Sequence, residues 1–493
     1  MSRKTLVTTL LLASLTQVTG CVQSSASTQA SSVSDILAIP PQTLFSSETG
    51  QLNIATFERV TLALAQEKSA SNIDTLLTYL RAFSYFSPID TLDNSHLSQL
   101  SQSLQTIATN RNIKGDRRLQ EQFAVTLYRY FADDKFASLL APLLPSLQTQ
   151  LKDLANTPPS LASDYALWET LRAYGFLLNQ SRKNPTGELN LLLLSQEVNK
   201  PLLQFVASAN SIRENSDWPK TNAYWALAMY RLALPSGTDG NITADEHALD
   251  DAVNTLAQQD VAIRGQVAKD AFTLGYHVNH FAGREECINN SGLCHMPSLE
   301  AVLPEKHTCS ATLFIRHQDL NQEELAESCH KLTSQEAHFH LLLQTQNSPT
   351  ANDNNQALQV VAFKNWSQYN AYGQLIFDIS TDNGGMYLEG TPSAPNNQAS
   401  FFAFRQWWIE PEFAIWNLNH EYVHYLDGRF IKYGGFGHFP NKMVWWSEGL
   451  AEYISKGNSN PDAITLAKES LDKAPNLETI FATEYKDGLF RRI

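Results

Sequence analysis

The chain has 493 residues, 43% of them hydrophobic and 17% charged. That length suggests two or three domains, and that balance belongs to globular proteins rather than to disordered chains or multi-span membrane proteins. A formal net charge of −14 argues against nucleic acid as the main partner, because gripping a phosphate backbone needs a basic face.

Residues 1–20 read as a secretory leader outside the fold. Arg3 and Lys4 make a basic start, Leu6 to Leu15 form a short apolar stretch broken by threonine and serine, and Val18-Thr19-Gly20-Cys21 closes it. Such a stretch is too short to cross a bilayer as a mature helix. Small residues before a cysteine resemble the lipobox of bacterial lipoproteins. The resemblance implies export, lipidation of Cys21 and anchoring to a membrane of the cell envelope, as an outer-membrane lipoprotein. The other reading is an ordinary signal peptide, a secreted chain and an incidental Cys21. Residues 21–45, rich at first in Ser, Gln, Ala and Thr, then form a tether.

Residues 46–275 carry serial amphipathic helices. One begins near Ser71-Asn72, repeats Ile73, Leu76, Leu77, Leu80 and Phe83 at helical spacing, and stops at Ser87-Pro88. Others fall near 95–109, 118–132, 136–155, 162–180, 189–209, 222–235 and 246–258, with breaks such as Thr157-Pro158-Pro159. Consecutive helices on short connections predict an all-α array of helical hairpins, HEAT-like, although no strict sequence period is present.

Residues 276–493 change character and predict an α+β domain. Cys287, Cys294, Cys309 and Cys329 are four clustered cysteines, which in an oxidising compartment read as two disulfides. Three connectivities are open, and pairing of neighbours is the simplest. A structural zinc knot with His295, His307 and His330 is the rival reading, disfavoured by the lack of a close Cys-x-x-Cys pair. Strands are expected at Ala311–Ile315, Leu358–Phe363, Leu375–Ser380 and Met386–Glu389, and a helix at Gln322–Leu332. The last strand follows the turn signal Asp382-Asn383-Gly384-Gly385. Helix returns with Pro411 and Glu412 at its start.

His420-Glu421-Tyr422-Val423-His424 carries the chemistry. A spacing of four puts both imidazoles on one helix face, able to reach one metal ion, with Glu421 angled towards a water in the open position. Zinc suits such ligands, having no redox chemistry and lowering the pKa of its water to roughly 7. A third ligand comes from Trp445-Trp446-Ser447-Glu448-Gly449-Leu450-Ala451-Glu452. Glu448 and Glu452 share a helix face beside aromatic residues, where carboxylates need a cation or donors to offset burial. Their other reading is a solvated helix face.

The segments HEYVHYLDGRF (His420–Phe430) and VWWSEGLAEYIS (Val444–Ser455) resemble those of the bacterial collagenases, gluzincin-type zinc metalloendopeptidases in which a helical activator domain precedes the peptidase domain. The resemblance implies that His420, His424 and Glu448 are zinc ligands and that Glu421 is the general base. Glu452 becomes a carboxylate behind the ligands, and Asp427 one that orients His424 or else an exposed helix-end residue. Gly384 and Gly385 correspond to glycines near the substrate backbone, their plain alternative being a hairpin turn. Glu389 becomes a candidate ligand of a structural calcium, or a rim salt bridge. The substrate is collagen, gelatin or another protein. The sequence runs 45 residues past Glu448, fewer than in the family's peptidase domains. A truncated domain, weakly active or inactive, in a surface lipoprotein that binds protein partners is therefore the alternative function.

Overall fold

The computed structural model describes residues 32–44, 51–87, 89–109, 113–212, 217–236, 241–280, 284–381, 384–406, 413–434, 438, 441–458, 460, 464 and 475–484. The leader, Cys21 and the start of the tether lie outside the described residues, as do Asp382, Asn383, Pro411 and Glu412.

In the first part of the chain, apolar residues three and four apart make helices that polar residues cap. Helix α1 (Ile54–Gln66) starts at Asn53, which accepts from the Thr56 amide, and buries Phe57, Val60 and Leu64. Helix α2 (Ala70–Phe86) is capped by Ser69, two residues before the expected pair, and buries Ile73, Leu76, Leu77, Leu80 and Phe83. The series continues with α3 (Asn94–Thr109), α4 (Arg117–Tyr130), α5 (Leu144–Ala155), α6 (Leu161–Ser181), α7 (Glu188–Ser195), α8 (Asn199–Ala207), α9 (Trp218–Ala233) and α10 (Ala244–Arg264). Two expected helices are divided. Short turns at 134–143, with Pro142 in the last of them, precede α5, and Glu197, left-handed at φ 47°, separates α7 from α8.

Helices α2, α4, α6 and α9 each pack on the next. A second layer runs through α1, α3, the turns at 137–143, α5 and α8. Charges buried between the helices are paired: Arg81 reaches Glu121 at 2.9 Å and Glu169 at 3.3 Å, and Arg231 holds Asp250 at 3.0 Å together with Glu246. The array ends in α11 (Gln266–Phe272), which runs into a π-helical turn, Thr273–His277.

The second part is built on a five-stranded mixed sheet in the order β1-β2-β3-β5-β4, comprising β1 (Glu305–Ser310), β2 (Leu313–His317), β3 (Leu358–Phe363), β4 (Met386–Leu388) and β5 (Ser400–Phe404). β2, β3 and β5 are parallel, and β1 and β4 are antiparallel edges. Helix α12 (Gln322–Leu343) crosses from β2 to β3, and α13 (Trp366–Phe377) follows β3. Strand periodicity sends Val360, Phe401 and Ala403 to one face, where α12, α14 (Leu418–Phe430) and α15 (Val444–Lys456) pack. Val361, Phe363, Phe402 and Phe404 go to the other, covered by α13. Trp366 at the start of α13 lies on Phe176 and Trp225 of the array, with ring centroids 5.5 and 5.1 Å away. Asn370 donates to Asn279 across the same junction at 3.1 Å.

Several local expectations are corrected. Leu375–Ser380 is not a strand: α13 runs to Phe377 and stops at Asp378, left-handed at φ 54°. β2 lies two residues later than expected, and α12 continues eleven residues beyond Leu332, to Leu343. The motif helix begins at Leu418 rather than near residue 411, because Ile415 is bridged to Arg405 as an extension of the sheet and Trp416 stacks on Phe404. The cysteines pair with their neighbours, Cys287 with Cys294 and Cys309 with Cys329. His295 faces Asp270 at 2.5 Å.

Candidate metal centre

Helix α14 lies on the sheet through Leu418, Tyr422, Val423 and Leu426. α12 fixes its register: Gln335 donates to the Asn419 carbonyl at 2.8 Å, and the Tyr422 hydroxyl donates to Glu336 at 2.9 Å. With that face spent on packing, the helical repeat turns His420 and His424 together, their rings 5.0 Å apart and nearly perpendicular. Helix α15 packs directly on α14, anchored by Ala451 and Ile454, and aims Glu448 at the same point. One oxygen of Glu448 is 3.2 Å from His420 Nε2, and the other is 3.8 Å from His424 Nε2.

These three side chains each offer one ligand atom, all within 4.8 Å of one another. Two ligands about 2 Å from a shared ion in tetrahedral geometry stand about 3.3 Å apart, so the observed spacings fit a single divalent ion. Two imidazoles and a carboxylate are also the donor types zinc takes, with a fourth position left for water or substrate. His277, Cys287 and Cys294 form a second close group, but there the two sulfurs are bonded to each other.

Glu452, one turn beyond Glu448, reaches the other nitrogen of His420 at 3.4 Å and accepts from Asn460 at 3.0 Å. A carboxylate there fixes the tautomer and raises the basicity of the ring. Burial opposes charge on His420, yet its hydrogen bonds to Glu448 and Glu452 outweigh that and hold its pKa up at about 10. Burial instead pushes His424 down to about 3. Glu421 is buried beside them, held by the Asn417 side chain and the Tyr387 amide of β4; burial pushes its pKa up to about 7. Asn417, left-handed at φ 51°, and that strand amide had no signal in the sequence.

The remaining sequence-predicted residues divide. Asp427 is not an exposed helix-end residue: only 1% exposed, it accepts from Trp446 Nε1 and pairs with Lys432. Gly384 and Gly385 lead into the edge strand β4, and packing accounts for both. A Cβ at 384 would stand 2.1 Å from the Trp416 indole nitrogen, and one at 385 would stand 3.1 Å from the Phe402 carbonyl. Glu389 is no rim residue. It is buried beneath Gly428, accepts from Tyr387 and Asn355, and is pushed up to about 7 by burial.

An H-E-x-x-H helix, a glutamate from the next helix and a carboxylate behind the first imidazole are the arrangement by which metal-dependent peptidases hold their ion. In this chain, residues 268–493 match the model of the collagenase family of peptidases. The chain is similar to the microbial collagenase of Vibrio alginolyticus, 46% identical over 293 residues that cover 59% of this chain and 34% of that protein. The microbial collagenase of Vibrio vulnificus (strain CMCP6) is 42% identical over 186 residues, 37% of this chain and 23% of its own. Collagenase ColA of Clostridium perfringens (strain 13 / Type A) is 34% identical over 115 residues, 22% and 9% respectively. The chain thus spans about a third or less of the length of these curated relatives.

Proposed function

We propose that this chain is a zinc metalloendopeptidase that hydrolyses peptide bonds in collagen or gelatin. The observation that carries the reading is the meeting of His420, His424 and Glu448, from two helices, within 4.8 Å beside the buried Glu421. Zinc held by those three would supply Lewis-acid chemistry at the peptide carbonyl and would lower the pKa of a water to roughly 7. Glu421 takes the proton from the attacking water and passes it to the leaving amide nitrogen, so the base regenerates itself within one turnover. The Tyr387 amide and Asn417 hold that carboxylate in place. The edge strand β4, entered through Gly384 and Gly385, offers the substrate a backbone to pair with as an added strand.

The same reading expects a structural calcium at Glu389, whose carboxylate lies with Asn355 and Asp353. It takes the helical array as HEAT-like hairpins that engage the substrate beside the peptidase domain, and the leader as export with an anchor at Cys21. The test is hydrolysis of gelatin and of triple-helical collagen by the native chain and by Glu421→Gln. The variant should keep its zinc and lose about 10²–10⁴-fold in rate. Unchanged hydrolysis in the variant would rule out Glu421 as the base, and tight zinc without any hydrolysis in the native chain would favour a protein-binding role.

A further inference from the structure

We infer that Lys432 and Asp427 form a positioning device that sets Glu448 against the two histidines, an inference that rests on the reading of His420, His424 and Glu448 as one metal site. The ligands come from separate helices, joined by the stretch 431–443. A metal site demands placement to within about 0.5 Å, and the apolar contacts of Ala451 and Ile454 are non-directional, so they resist separation of α15 from α14 better than sliding or rotation.

Directional ties lie immediately before Glu448. Asp427 sits three residues beyond His424 with only 1% of its surface exposed, and a carboxylate so buried requires donors. Trp446 supplies one: its Nε1 donates to the two carboxylate oxygens at 3.1 and 3.3 Å. Lys432 supplies the second through an ion pair with Asp427. The same ammonium donates to the Ser447 hydroxyl at 3.2 Å, and the Lys432 amide donates to the Asp427 carbonyl at 3.0 Å, fastening it to the end of α14. Residues 446 and 447 are therefore both tied to one charged pair on the helix that carries the histidines. A shift of α15 along or about its axis that moved Glu448 would also stretch these two ties. Lys432 touches no reacting atom in this scheme. It acts through Ser447 and Asp427 on the angle at which the third ligand arrives.

The test is zinc affinity, measured on the full chain by competition with a chelator and compared with folding followed by circular dichroism. Lys432→Met should fold and bind zinc about 10–100-fold more weakly, the size of effect seen when groups behind a metal's ligands are removed. Lys432→Arg, which keeps charge and donors, should recover part of the loss. A merely structural lysine would lower the melting temperature and leave zinc affinity of the folded chain unchanged, and affinity within about twofold of native in Lys432→Met would overturn the inference. Should that variant fail to fold, Ser447→Ala and Trp446→Phe each remove a single tie: weaker zinc in both supports the device, and native affinity in both overturns it. A native chain that binds no zinc would bring down the metal site itself and this inference with it. Tight zinc in every variant would leave the site standing and remove only the positioning role.

Discussion

The helical array and the candidate metal centre of the sheet domain gather charge in opposite ways. In the array each buried cation is matched on the spot: Arg81 lies between Glu121 and Glu169, Arg231 between Glu246 and Asp250, and Lys220 on Asp260. In the sheet domain, carboxylates of Glu421, Glu448 and Glu452 gather about two imidazoles instead. Desolvation raises the free energy of both arrangements. The first cancels it with guanidinium and ammonium groups and gives a rigid wall. The second leaves negative charge around a common point that a divalent cation fits. The same chemical cost therefore accompanies architecture in one region and a candidate metal centre in the other.

That contrast can be broken by mutation. The largest effect is expected from His424→Ala, which removes a proposed zinc ligand and should abolish zinc binding and hydrolysis together while the array stays folded; assays of metal content and peptide cleavage on the same sample check it. In the array, Arg81→Met should destabilise folding by about 3 kcal/mol, the lower end for a broken buried pair, because Arg118 and Arg172 remain beside the two glutamates. Denaturant titration would measure this, and zinc affinity of the folded chain should not change. Glu452→Gln sharpens the comparison from the other side: zinc affinity should fall by about 10–100-fold with little change in denaturation midpoint. The smallest effect is expected at Gly384→Ala, where the new methyl meets Trp416 and should cost about 1–3 kcal/mol through local overpacking, read as a lower melting temperature.

The helices of the array were legible because their apolar residues recur at the helical period, most plainly where one face is solvated, as in α1, whereas α4 and α9 are buried on nearly all sides. Strands were harder, for physical reasons. β5, Ser400–Phe404, is buried on both faces and shows no alternation. β1, Glu305–Ser310, is a polar, largely exposed edge. Leu375–Ser380 reads as a strand in isolation, but the helix that starts at Trp366 takes in Leu375 to Phe377 before Asp378 ends it in the left-handed region. His420 and His424 were legible because helical spacing alone brings them together, whereas the choice of Glu448 over Glu452 as their companion came from the resemblance to the bacterial collagenases. What stood around them was not. The partners of Asp427, the amide that holds Glu421 and the indole that requires glycine at 384 all depend on how separate elements pack, which local pattern does not encode.

The most direct measurement of the central claim is the zinc content of the purified native chain, followed by peptide hydrolysis before and after the metal is stripped. One zinc per chain is expected, with hydrolysis lost on stripping and restored when zinc is returned. Undiminished cleavage by a chain fully freed of metal would contradict the claim that His420, His424 and Glu448 form a working metal centre.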